Sequence, residues 1–209
     1  MLELVAAAAL ACAIPTDLTP APALPQEESR IVPVEHFVLA YYWWPQECRR
    51  ADTAASPGCH AGFGLRVHGL WPDGPGTTYP QFCRAPTPLA AAEVRRNWCL
   101  TPSVTLLQHE WAKHGTCDWP DAAHYFADMR RVAARIALPD LDRVATAGAV
   151  RDAMVASNPR LPRDAVFVGT DSNQWLTEIR VCLNLAKRPR GCESGVGAPD
   201  SILIRVWPR

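Results

Sequence analysis

The sequence predicts an α+β fold: a central antiparallel β-sheet with several helices packed on it, stapled by disulfides. Three observations carry that expectation. Strand-like segments stand at both ends of the chain, helix-like segments fill its middle, and eight cysteines occur with no C-x-x-C pair among them. Cysteines spaced this way fit disulfides better than a zinc ribbon, and disulfides imply an oxidising compartment.

Residues 1–30 read MLELVAAAALACAIPTDLTPAPALPQEESR. An apolar run of signal-peptide length passes into a Pro- and Ala-rich stretch with no regular structure, so an export signal plus tether is expected. Glu3 stands where Lys or Arg is usual, and Ala11-Cys12-Ala13 and Ala21-Pro22-Ala23 both offer small residues to a signal peptidase. Loss of Cys12 would leave seven cysteines, one of them without a partner in this scheme. The sequence contains no repeat and no later linker, so residues 31–209 are expected to form one domain.

HFVLAYYWW (36–44) is aromatic and β-branched, a strand that Pro45 ends, and LRVHGL (65–70) is a second strand closed by Pro72-Asp73-Gly74. Thr87-Pro88 followed by LAAAEVRRNW gives a cap, a proline at the first helical position and good helix formers. SVTLLQHEWAKHG (103–115) reads as a helix capped by Ser103 and stopped by Gly115. Further helices are expected over 121–137 and 146–156, then strands in AVFVG, QWLTEIRVCLNLA and SILIRVW.

Charge is balanced, 21 basic against 21 acidic residues, which excludes attachment to nucleic acid or membrane through one broad field. A polyanion would have to be met locally. His68 stands in VHGLWPDG, where a lone histidine beside Trp71 is ordinarily a half-buried packing residue. QHEWAKHGTC adds His109, Glu110, Lys113 and His114 within six positions, and at about 100° per residue these span roughly 140° of a helix. A solvated helix face explains any one of these charges but not the set, which includes one of only two lysines in the chain. HEWAKH is similar to the zinc-binding H-E-x-x-H, yet its histidines are five apart, about 140° instead of about 40°, and Lys113 would repel a cation. No metal and no cofactor are expected.

Together VHGLWPDG and HEWAKHGTC resemble the two active-site segments of the ribonuclease T-two family, exported acid endoribonucleases that need no metal. FVLAYYWWPQEC resembles the family's first core strand and LTEIRVCLN its late strand, so the likeness covers most of residues 35–207. The resemblance implies cleavage of single-stranded RNA by 2′-hydroxyl transesterification through a 2′,3′-cyclic phosphate. It implies His114 as general base, His68 as general acid, His109 as phosphate holder, and Glu110 and Lys113 as stabilisers of phosphate charge, the two proton-transfer roles being interchangeable on sequence alone. Trp71 would stack on a base, Tyr79 close its other side, and Asp73 accept from an exocyclic amine, favouring adenine or cytosine; Asp73 reads equally as a turn residue. The family pattern pairs Cys83 with Cys117 and Cys182 with Cys192, nearness in sequence pairs Cys48 with Cys59, and Cys99 is left over. A secreted or periplasmic monomer acting on RNA is expected. The alternative is a secreted RNA-binding or toxin-like module with secondary or no catalysis.

Overall fold

A computed structural model of the chain describes residues 12–22, 28–51, 53–193 and 195–209. The apolar run expected to be an export signal lies at 1–11, and part of the expected tether at 23–27, both outside the described residues. From Cys12 onward the elements run β1 His36–Trp43, α1 Trp44–Glu47, β2 Leu65–Asp73, α2 Ala91–Asn97, α3 Val104–Glu110, a π-turn Trp111–Gly115, α4 Thr116–Asp118, α5 Ala122–Ala133, α6 Ala147–Ser157, β3 Val166–Thr170 and β4 Leu176–Leu183. The fold is α+β, as the sequence predicts.

The four strands form an antiparallel sheet in the order β2-β1-β4-β3. Period-two alternation gives β1 two faces. Phe37, Leu39, Tyr41 and Trp43 enter the main core with Leu65, Val67 and Leu70 of β2, against Leu107, Tyr125, Phe126 and Met129 from the helices. Each such side chain contributes about 1.5–3 kcal/mol by leaving water. Val38, Ala40 and Tyr42 lie on the opposite face, and that face supports the site.

Several boundaries differ from expectation for identifiable reasons. Strand β2 does not end at Leu70 but runs through Trp71 and Pro72 to Asp73. Proline is tolerated because β2 is an edge strand, where a missing N–H costs no ladder bond. Helix α2 starts at Ala91, later than Thr87-Pro88 suggests, because the Leu89 amide donates to the buried Gln108 side chain at 2.8 Å and Leu89 enters the core. Ser103 caps α3 as expected, its hydroxyl accepting from the Leu106 amide at 3.2 Å. Gly115, however, does not stop the helix, which continues through the π-turn to Asp118. Its missing side chain makes room for Trp111, whose ring would lie 2.4 Å from a Cβ at that position. Asp121 and Thr146 cap α5 and α6. SILIRVW forms no strand of the sheet, because its amides are shared between two segments: Ile204 donates to Ala145 and Arg205 to Gln174.

All eight cysteines are bridged, as Cys12–Cys99, Cys48–Cys59, Cys83–Cys117 and Cys182–Cys192. The first corrects the expectation that Cys99 is left over. It pins the N-terminal segment beside α2, where Arg95 also donates to the Pro15 carbonyl at 3.0 Å. A loop of 87 residues closed this way is worth about 4–5 kcal/mol in the chain-entropy account. Thiol labelling of the full chain under denaturing, non-reducing conditions is expected to find no free cysteine. A labelled Cys99 would show that this bridge does not form.

Candidate active site

His68 owes its position to one irregularity in the sheet. Tyr41 pairs with Val67 while Ala40 pairs with Gly69, so His68 is an extra residue on β2 and the site of a β-bulge. Strict alternation from Val67 would send Gly69, Trp71 and Asp73 into the core. The bulge switches the phase, placing Leu70 in the core and leaving His68, Gly69, Trp71 and Asp73 on the opposite face.

The second segment arrives through a comparable irregularity. After α3 the backbone adopts the π-turn, whose i→i+5 hydrogen bonding widens the helix and brings residues five apart toward one side. The 100° arithmetic therefore does not hold between His109 and His114. Widened in this way, the turn presents His109, Glu110, Lys113 and His114 to one cleft of about 810 Å³ that His68, Trp71, Asp73 and Tyr79 also line. All eight residues singled out from the sequence thus meet in one place.

Glu110 is the centre of that arrangement. Only 1% exposed, its carboxylate sits 3.1 Å from His68 Nε2 through Oε1 and accepts the Trp71 indole N–H at 2.7 Å through Oε2. Burial pushes its pKa up, but the facing His68, with His114 and His109 behind it, more than reverses this and holds it at about 2. The ionised carboxylate is thus committed to His68 and Trp71 instead of lying open to a ligand. Gly69 makes the approach possible: a Cβ there would stand 1.8 Å from Glu110 Oε2.

Trp71 is likewise not an open platform. Its ring stacks on His114 with centroids 5.2 Å apart, meets His68 edge-on at 4.8 Å, and has the Arg180 guanidinium over it at 5.1 Å. Burial pushes His114 down to about 3, against the pull of Glu110 and helped by the positive charge of Lys113, so its imidazole is neutral over the ordinary pH range. Asp73 lies opposite His36 in the ladder and pairs with it, Oδ2 to Nε2, at 3.3 Å, while Oδ1 accepts the Gly74 amide at 3.0 Å. It is both turn former and cleft wall. Tyr79 tilts toward His114 at 6.4 Å and carries Arg30 over its ring at 4.8 Å.

Two cleft groups and one core group beneath them escape a reading of motifs. Tyr42 stacks on His68 at 3.8 Å and 23°, Arg180 reaches Trp71 from β4, and Tyr125, in the core, accepts the Leu70 amide at 3.3 Å from beneath. Gly69 alone carried a signal, being a glycine inside a strand.

Comparison with known proteins assigns the family. The profile of the Ribonuclease T2 family matches residues 34–150, and the chain belongs to that family. It is 32% identical over 123 residues, 52% of its length, to a probable ribonuclease of Haemophilus influenzae, covering 45% of that protein. It is 38% identical over 98 residues, 40% of its length, to extracellular ribonuclease LE of Solanum lycopersicum, covering 42%. The chain therefore spans less than half of each of these relatives. In fold it is similar to RNase NT, solved in complex with 5′-AMP, with a TM-score of 0.60 and 19% identity over 81% of this chain and 100% of that one.

Two outcomes test the site. Gly69→Ala leaves the backbone unstrained but forces the Glu110 carboxylate off Trp71 and His68, with an expected loss of about 1–3 kcal/mol in stability by denaturant titration. His114 gives a pH signature. The unfolded chain binds a proton there below about pH 6.5, whereas the folded chain excludes it down to about 3. Stability therefore falls as pH drops through that window, and His114→Gln is expected to flatten the dependence in melts recorded from pH 7 to pH 4.

Proposed function

We propose that this protein is a metal-independent endoribonuclease that cleaves single-stranded RNA by transesterification. The observation that carries the reading is two imidazoles from distant segments, His68 edge-on and His114 stacked, both against the Trp71 ring in one cleft, with ionised Glu110 against the first. His114, kept neutral by burial, takes the proton of the ribose 2′-hydroxyl, and the 2′-oxygen attacks the neighbouring phosphorus. The bond to the 5′-oxygen breaks as His68, paired with the facing Glu110, gives that oxygen a proton. A 2′,3′-cyclic phosphate results. In the second step water takes the place of the departed 5′-hydroxyl, the two histidines exchange roles, and a 3′-phosphate remains.

His109 and Lys113 supply positive charge to the crowded phosphorane. Glu110 acts through His68 by holding and polarising the ring, and Trp71 fixes both histidines instead of stacking on a base. Tyr79 and Asp73 form the wall that a base meets. In this reading the chain is exported as a monomer, consistent with its four disulfides and with the extracellular ribonuclease among its relatives.

Incubation of the pure protein with single-stranded RNA in EDTA is expected to give cyclic phosphate ends that mature to 3′-phosphates, with DNA untouched. Cleavage abolished by the chelator would assign a metalloenzyme, and no cleavage would leave a binding module. His68→Ala and His114→Ala are each expected to lower kcat by about 10²–10⁴-fold with an unchanged circular dichroism spectrum. Glu110→Gln should lower kcat more than it raises KM.

A further inference from the structure

We propose that Arg180 forms a second phosphate subsite, which binds the phosphate on the 5′ side of the nucleotide being cleaved. The proposal rests on the ribonuclease reading above for the nature of the ligand. The motifs did not single out Arg180, and the two-histidine mechanism does not use it.

The sheet register places it. Arg180 of β4 stands opposite Ala40 of β1 on one side and Phe167 of β3 on the other, and Ala40 in turn stands opposite Gly69 of β2. Gly69, Ala40, Arg180 and Phe167 thus form one row across the sheet. Glu110 sits on the Gly69 end of that row, and the Arg180 backbone stands two strand spacings away, about 10 Å, with its guanidinium leaning back over Trp71. The head group thus packs on the ring that also meets the two histidines, beside them and outside the pair that the mechanism uses. Small side chains at Gly69 and Ala40 keep the row between them low.

The guanidinium is also prepared for a ligand. Its Cζ lies 4.7 Å from the Phe167 ring and 5.1 Å from the Trp71 ring, so the plane is gripped by two aromatic side chains. Glu178 Oε1 accepts from one terminal nitrogen at 2.6 Å, while Nε has no partner among the described residues. Glu178 takes one of the five donors of the fork and fixes its orientation, Nε is buried, and a phosphate oxygen approaching from the cleft meets the remaining terminal N–H groups. The side chain remains 36% exposed and lines the same cleft as the histidines.

Direction follows from register and charge. The guanidinium reaches from the Gly69 row to Trp71, two residues short of Asp73 on the same face of β2, so it leans toward the end of the cleft where the proposed base wall lies. Asp73 and Glu178 would repel a polyanion on this side, and Arg180 offsets them. A nucleotide with its base at Asp73 and Tyr79 and its 3′-phosphate at the histidines would direct its 5′-phosphate toward Arg180.

The test compares a dinucleotide XpY with its 5′-phosphorylated form pXpY. The native protein is expected to cleave pXpY about tenfold more efficiently in kcat/KM. In Arg180→Gln that ratio should fall to about one, and Arg180→Lys, which keeps charge without the planar stack, should recover part of it. A ratio unchanged in Arg180→Gln would overturn the proposal, as would an equal loss on both substrates, which would mean that Arg180 acts only by packing on Trp71. Calorimetry of a nucleoside 3′-phosphate against the 3′,5′-bisphosphate supplies a second reading that needs no turnover, with the same tenfold preference expected and lost in Arg180→Gln. If the native protein cleaves neither dinucleotide, the ribonuclease reading fails, and the calorimetric preference still decides whether Arg180 binds phosphate.

Discussion

The site depends on one buried carboxylate. An ionised glutamate withdrawn from water is costly unless every lone pair finds a donor or a positive charge. Glu110 finds the Trp71 indole and the His68 imidazole, and both are supplied by a single strand. That requirement propagates outward. The strand must approach α3 closely enough for a backbone without a side chain at Gly69, and Tyr125 must rise beneath it to accept the Leu70 amide. Catalytic geometry and core packing are therefore the same set of contacts viewed from two sides. A change that relieved the buried charge would also release the His68 ring, to which the proposed function assigns a proton transfer.

The aromatic side chains serve a related purpose. Tyr42 covers His68, Trp71 covers His114, and Arg180 lies over Trp71, so the two imidazoles are held within a stack that crosses three strands. Such packing fixes ring orientation through the ring faces, while His68 Nε2 meets Glu110. Nδ1 of both His68 and His114 is buried and has no hydrogen-bond partner among the described residues.

Much of this was legible in the sequence. Residue types decide proton-transfer chemistry, and His68, His109, Glu110, Lys113 and His114 announce theirs by identity and by clustering in two short segments. Secondary structure was legible where a local signal sufficed, as in the Ser103 cap or the aromatic β1. What stayed hidden is what depends on neighbours remote in sequence. Pro72 could continue a strand only because β2 lies at the sheet edge. Trp71 looked available to a base because nothing local shows that His114 covers its ring. Arg180 and Tyr42 join the cleft through cross-strand register, which motifs do not encode. Cys99 pairs with Cys12, 87 residues away in a segment whose composition suggests a leader and tether, so spacing carries no sign of the bridge.

Two elements facing each other across the cleft each carry a one-residue irregularity, the bulge at His68 and the wide turn at Trp111–Gly115. Point substitutions at neighbouring positions leave the phase of both elements intact, so the constellation can tolerate drift in side chains around it wherever, unlike at Gly69, a side chain has room. Removing a single residue from either element would restore a perfectly regular strand or helix and rotate the downstream groups away from the cleft. For this architecture the count of residues is a stricter constraint than their identity.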